Sequence, residues 1–74
     1  MQIDPIQRLA ERIRQMLISR AKRELEINTI AMTQRVDEWS IQQAINAGII
    51  KGWWVNYPPG SLTLTPKGGA LNQD

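Results

Sequence analysis

Hydrophobic positions in the first third of the chain recur at Ile6, Leu9, Ile13, Leu17 and Ala21, in steps of three and four, with Met16 and Ile18 beside them. That spacing predicts one amphipathic helix with a single buried stripe, and it leaves Arg8, Arg12 and Gln15 off the stripe. Asp4 and Pro5 form its start: an aspartate at the cap, a proline at the first helical position, and Gln7 where a capping box places Glu or Gln. The helix is expected to span 4–25, ending near Arg23 or Leu25. Glu26-Ile27 reads as a short strand. Asn28 then reads as the cap of a second short helix, Thr29 to Arg35, with Ile30 and Ala31 facing inward and Val36 in the turn that follows. A third helix is expected from Asp37, its N-cap, to Ala47. Around it, Ile41, Ala44 and Ile45 cluster on one side, while Trp39, Gln42, Gln43 and Asn46 lie opposite. Gly48 is expected to end this helix in a left-handed conformation.

Beyond Gly48 the period changes to two. Ile49 to Val55 reads as a strand, and Ser61 to Thr65 as a second strand with Leu62 and Leu64 on one face. Pro59-Gly60 between them fits the centre of a type II turn. Of the adjacent Trp53 and Trp54, one is expected to pack inward and the other to be exposed or half-buried. Pro66 breaks the second strand, and 69–74 reads as a frayed tail in which Leu71 packs or not. The whole chain, 1–74, is read as one small domain.

Composition narrows the chemistry. Among 74 residues there is no cysteine and no histidine, which removes disulfides, thiolate or imidazole metal sites and the commonest general base. Ser19, Ser40 and Ser61 have no histidine to activate them, and the carboxylates are scattered among basic residues and caps. An enzyme is not expected, and no cofactor or metal is implied. No apolar run approaches the roughly 20 residues of a membrane span. The N-terminus lacks the order of a signal peptide, so a cytoplasmic protein is expected. The net charge of +2 is weak, but its distribution is uneven: residues 1–23 hold six basic and two acidic side chains, and residues 24–74 hold three basic and five acidic. The cations therefore sit in sequence on the first helix, away from the third.

Four segments in order carry a family resemblance: Asn28-Thr29-Ile30-Ala31, Val36-Asp37-Glu38, Ala44-Ile45-Asn46-Ala47-Gly48-Ile49-Ile50, and Leu62-Thr63-Leu64-Thr65-Pro66-Lys67-Gly68. Together they resemble the winged helix-turn-helix superfamily across somewhat over half of the chain. The resemblance implies an α+β fold of three helices followed by a two-stranded hairpin wing, with the helix-turn-helix at 28–47 and the wing at 49–65. It also implies double-stranded DNA as partner and transcriptional regulation as role, with the third helix in the major groove. By position, Trp39, Ser40, Gln42, Gln43 and Asn46 would face bases, where Gln and Asn can make paired hydrogen bonds to adenine. Arg35 and Lys51 flank that helix and would meet phosphate. Arg8, Arg12 and the Arg20, Lys22, Arg23 cluster would add phosphate or partner contacts.

The third helix has no Lys or Arg and opens with Asp37 and Glu38, and the wing from Asn56 to Ser61 is uncharged. These features favour a second reading, a protein-interaction or dimerisation module. It would use Trp39, one exposed tryptophan of the 53–54 pair and Tyr57 as an aromatic patch, or the first helix as a homodimer face.

Overall fold

A computed structural model describes residues 4–69 of the chain. It is a small α+β domain of four helices and a three-stranded antiparallel sheet. In chain order these are α1 (Pro5–Ser19), β1 (Glu24–Glu26), α2 (Ile27–Gln34), α3 (Glu38–Lys51), β2 (Trp54–Val55), β3 (Ser61–Leu64) and α4 (Pro66–Gly69).

The first helix starts as its sequence dictates. The Asp4 carboxylate accepts the Ile6 amide at 2.9 Å, and Pro5 occupies a position whose N–H would otherwise lack a partner. Leu9, Ala10, Ile13 and Leu17 are its buried stripe. It ends earlier than the periodicity suggests, at Ser19 rather than near Arg23 or Leu25. A tight turn follows, closed by Arg23 N–H to the Arg20 carbonyl at 3.0 Å, and Arg23 itself takes φ 55°. This break frees Glu24–Glu26 to form β1, an element the hydrophobic pattern placed two residues later, at Glu26-Ile27.

Strand β3 lies between the other two, in the order β1-β3-β2. Leu25 pairs with Leu62, and Trp54 pairs with Leu64, so one face of the sheet is a continuous apolar layer over α1 and α3. Ladder bonds run past the strand ends: Leu64 N–H to the Arg23 carbonyl and Ile27 N–H to the Gly60 carbonyl, each at 2.9 Å. The Pro59-Gly60 turn is as expected, with Gly60 at φ 84° and Ser61 N–H on the Pro58 carbonyl at 2.9 Å. The second strand stops at Leu64, one residue short of the expected Thr65.

Helix α2 begins one residue before Asn28, with Glu26 at its cap making no side-chain bond, so the expected asparagine cap is absent. Its only buried residue is Ile30. Arg35 closes it in the left-handed region at φ 54°, and Asp37 caps α3 as predicted.

The largest departure lies at Gly48. It does not end α3; it lies inside it, buried, and the helix runs on to Lys51 before Gly52 caps it at φ 79°. Gly48 extends the inward stripe Ile41, Ala44, Ile45, and the indole of Trp54 lies directly over it. A Cβ there would stand 2.0 Å from the ring. The expected long strand from Ile49 therefore shrinks to Trp54–Val55, and Ile49, Ile50 and Lys51 are helical. Trp54 is 1% exposed and its indole N–H donates to the Ile45 carbonyl at 3.1 Å. Trp53 is half-buried, with Arg14 at 4.9 Å and Lys51 at 5.2 Å from its ring.

Pro66 does not open a frayed tail. It begins the single turn α4, capped by the Thr65 hydroxyl, which accepts the Gly68 amide at 3.1 Å and donates to the Gly52 carbonyl. Arg14 clamps this turn to α1, its Nε donating to the Gly68 carbonyl at 2.8 Å. The expectations for Leu71 and the rest of the tail, 70–74, lie outside the described residues.

Gly48→Ala favours helix by about 1 kcal/mol on propensity alone but drives a methyl into the Trp54 ring. We expect net destabilisation of about 1–3 kcal/mol, and about 3–5 kcal/mol for Trp54→Ala. Urea unfolding followed by circular dichroism checks both values. A Gly48→Ala domain more stable than the parent would contradict the packing described.

Candidate nucleic-acid interface

Helix α3 is the element that presents the candidate site. Ile41, Ala44, Ile45 and Gly48 hold it to the core, so the opposite arc faces outward. Trp39, Gln42 and Asn46 are exposed as the helical phase requires, while Ser40 and Gln43 are half-buried at the edge of the arc. The continuation of the helix adds two residues that sequence reasoning missed: Ile49 at 42% and Ile50 at 84% exposure. A signal for them existed. Gly48 keeps the spacing of the buried stripe, Lys51 suits a last helical turn, and Gly52 stands where a terminating glycine belongs. The outward face is thus apolar at both ends and carries amides between, with no ionised group among Trp39, Gln42, Asn46, Ile49 and Ile50.

Asp37 fixes where this face begins. Its carboxylate accepts the Ser40 hydroxyl at 2.7 Å and the Ser40 amide at 3.0 Å. The Ser40 hydroxyl first, then the Ser40 amide, hold the exposed Asp37 carboxyl below its ordinary value. Ser40 is therefore engaged by the cap, which uses its hydroxyl proton and leaves its oxygen as an acceptor.

The basic residues divide into groups by place. Arg8 and Arg12 are exposed on α1 and share a cleft of about 250 Å³ with Val36 and Ser40, at the start of α3. The fold thus brings to α3 cations that the sequence put on a separate element. Arg20 lies one helix length away, roughly 18 Å along the α1 axis from Arg8 at 1.5 Å per residue. It lines a second cleft with Glu24, Glu26 and Thr29. Lys22 and Arg23 follow it in the exposed turn before β1, and the Arg23 guanidinium lies against Gly69. Arg35 is exposed in the turn between α2 and α3. Lys51, expected beside phosphate, is half-buried with its ammonium over Trp53.

The aromatic patch is narrower than expected. Neither residue of the Trp53–Trp54 pair is exposed, so Trp39 at 66% and Tyr57 at 71% stand without it. Helix α1, the other expected dimer face, directs its apolar stripe into the core, and none of the exposed large apolar residues lies on it. Among the described residues no group of three carboxylates gathers as a metal site, and no helix is long and apolar enough to cross a membrane. Family models, curated proteins and solved structures were compared with the chain, and none matches it.

The Asp37 cap carries a pH dependence of defined sign. A carboxyl whose folded pKa lies below its unfolded value stabilises the fold at neutral pH and loses that contribution as pH falls through the region below about 3.8. The melting-temperature gap between the parent and Asp37→Ala should therefore be largest at neutral pH and close on acidification. A gap independent of pH would show that the charge at the cap has no effect.

Proposed function

We propose that the domain is a winged helix-turn-helix module that binds double-stranded DNA sequence-specifically and acts in transcriptional regulation. In this reading α3 lies in the major groove and the β2–β3 hairpin serves as the wing. The reading is supported by the chain order α1-β1-α2-α3-β2-β3, by a turn of only Arg35, Val36 and Asp37 between α2 and α3, and by the central place of β3 in the sheet. The observation that carries it is the meeting of Arg8 and Arg12 with the start of α3. An uncharged amide face holds a polyanion weakly by itself, and Arg8 and Arg12, which reach the start of α3 at Ser40, supply cations near one end of that helix.

The roles follow from chemistry. Gln42 and Asn46 are exposed on the outward arc and their carboxamides match the paired acceptor and donor of an adenine edge. Gln43 reaches the same groove from the edge of the arc. Trp39 offers apolar contact to a thymine methyl at one end of the helix. Arg8, Arg12 and Arg35 meet phosphates around the start of α3 and set its register. Lys51 contributes through Trp53, holding the end of α3 to the sheet. Asp37 and Glu38 repel phosphate at the helix start, so few cations act and the salt dependence is shallow.

A second reading is a protein-binding module. The observation that favours it is the apolar character at both ends of the α3 arc, Trp39 at one and Ile49 with Ile50 at the other.

Fluorescence anisotropy on labelled duplexes at low salt tests the first reading. Arg8→Ala with Arg12→Ala should weaken binding to all sequences alike and lower the slope of log K against log salt by about 0.9 for each phosphate no longer neutralised. Asn46→Ala should cost about 1–3 kcal/mol on the preferred sequence and little on others. Absence of any duplex binding at low salt would refute the proposal.

A further inference from the structure

The exposed arc of α3 has a property beyond its fit to a groove: it is its own complement when reversed. Trp39, Gln42, Asn46 and Ile49 follow one another at spacings of three, four and three, the alternation of a coiled-coil seam. Read from either end, the order is apolar, amide, amide, apolar. All four side chains are exposed. A two-fold interface requires a patch that matches its own rotated copy, and few short stretches meet that condition.

We propose that this stripe pairs with the α3 of a second copy of the chain, antiparallel, across a two-fold axis that crosses the exposed face midway between Gln42 and Asn46. In that register Trp39 meets Ile49 of the second copy, and Gln42 meets Asn46 of the second copy. The carboxamides each donate and accept, so the central polar pair is satisfied in both symmetry-related positions. Ile50, beside the seam at 84% exposure, covers the outer edge of the opposing indole. A parallel pairing would instead set Trp39 on Trp39 and leave Ile49 on Ile49 without the indole. Amides at seam positions favour the one register in which they find each other.

The occupant is a second copy because the four seam side chains are uncharged and match their own reversed order; the exposed Glu38 borders the seam on each copy and weakens the pairing. Helix α3 has 14 residues, about 21 Å of length, and one such helix pair buries less than the ~1,200 Å² at which stable interfaces begin. The dimer is accordingly weak and concentration-dependent. It also covers Gln42 and Asn46. On the DNA-binding reading above, a second copy and a duplex therefore compete for one face, and self-association is a built-in brake on DNA binding. The pairing itself does not depend on that reading.

Sedimentation velocity from low micromolar to millimolar chain tests it. The parent should shift from monomer to dimer, and Ile50→Glu and Trp39→Glu should each weaken the dimer at least tenfold while circular dichroism reports an intact fold. Register is tested by cross-linking, since the chain has no cysteine of its own. An oxidised mixture of Gln42→Cys and Asn46→Cys chains should give mainly mixed disulfides, and added duplex should suppress them. A parent that stays monomeric throughout, a dimer unmoved by both glutamate variants, or a predominance of Gln42→Cys homodimers would each overturn the proposal. Mixed disulfides that persist under excess duplex, with anisotropy showing the duplex bound, would overturn the competition and leave both the pairing and DNA binding standing. A dimer of the stated register with no duplex affinity would overturn only the DNA-binding reading and the brake that rests on it.

Discussion

The ring of Trp54 lying on the bare backbone of Gly48 is the contact on which the rest of the molecule depends. It is the point where the sheet meets α3, and it works only because residue 48 lacks a side chain. The indole N–H on the Ile45 carbonyl fixes the ring's direction, so the strand cannot slide along the helix without leaving a buried donor unpaired. A glycine inside a helix has a conformational cost, and burial of a whole tryptophan offsets it. Around this seat the remaining pieces close: Thr65 joins the end of α3 to α4, and Arg14 joins α4 back to α1. What emerges is a short domain in which α3 is held from behind and left open in front.

How far the sequence disclosed this depends on whether a residue had one role or two. Asp4, Asp37, Pro59 and Gly60 each have one, and their local chemistry placed the helix starts and the turn correctly. The inward stripes of α1 and α3 were legible from Leu9 to Leu17 and from Ile41 to Ile45, because apolar spacing and burial obey the same period. Ala21, however, is exposed beyond the end of α1, and Ala10 joins the buried stripe in its place. Gly48 has two roles. As a glycine after a helical run it reads as a stop, and as a seat for Trp54 it belongs to the stripe. Only a ring carried on the following strand decides between them. Strand β1 was misplaced, at Glu26-Ile27, for a related reason. Glu24-Leu25-Glu26 is too short for its alternation about one apolar residue to stand out, and it is a strand because Leu62 lies opposite Leu25. Arg23 and Arg35 adopt left-handed backbone that their side chains do not advertise.

The same limit governed the candidate site. The amides Gln42, Gln43 and Asn46 could be assigned to an outward arc from helical phase alone. The placement of Ile49 and Ile50 on that arc required knowing where the helix ends. The charge pattern was misleading in one dimension, since the arginines of α1 and the amides of α3 lie far apart in sequence. In three dimensions Arg8 and Arg12 stand at the start of α3 beside Val36 and Ser40. The proposed function turns on neutral amides along α3 with cations at its start, where Asp37 and Glu38 limit how strongly any polyanion is held.

The most direct test follows the three indole N–H signals by nuclear magnetic resonance while duplex is added at low salt. Trp39 projects from the arc, whereas Trp54 is enclosed on Gly48 with its N–H bonded to α3. The account predicts that the Trp39 signal moves as the duplex saturates and the Trp54 signal stays in place. A Trp39 signal unmoved by bound duplex, or a Trp54 signal that shifts in its stead, would contradict it.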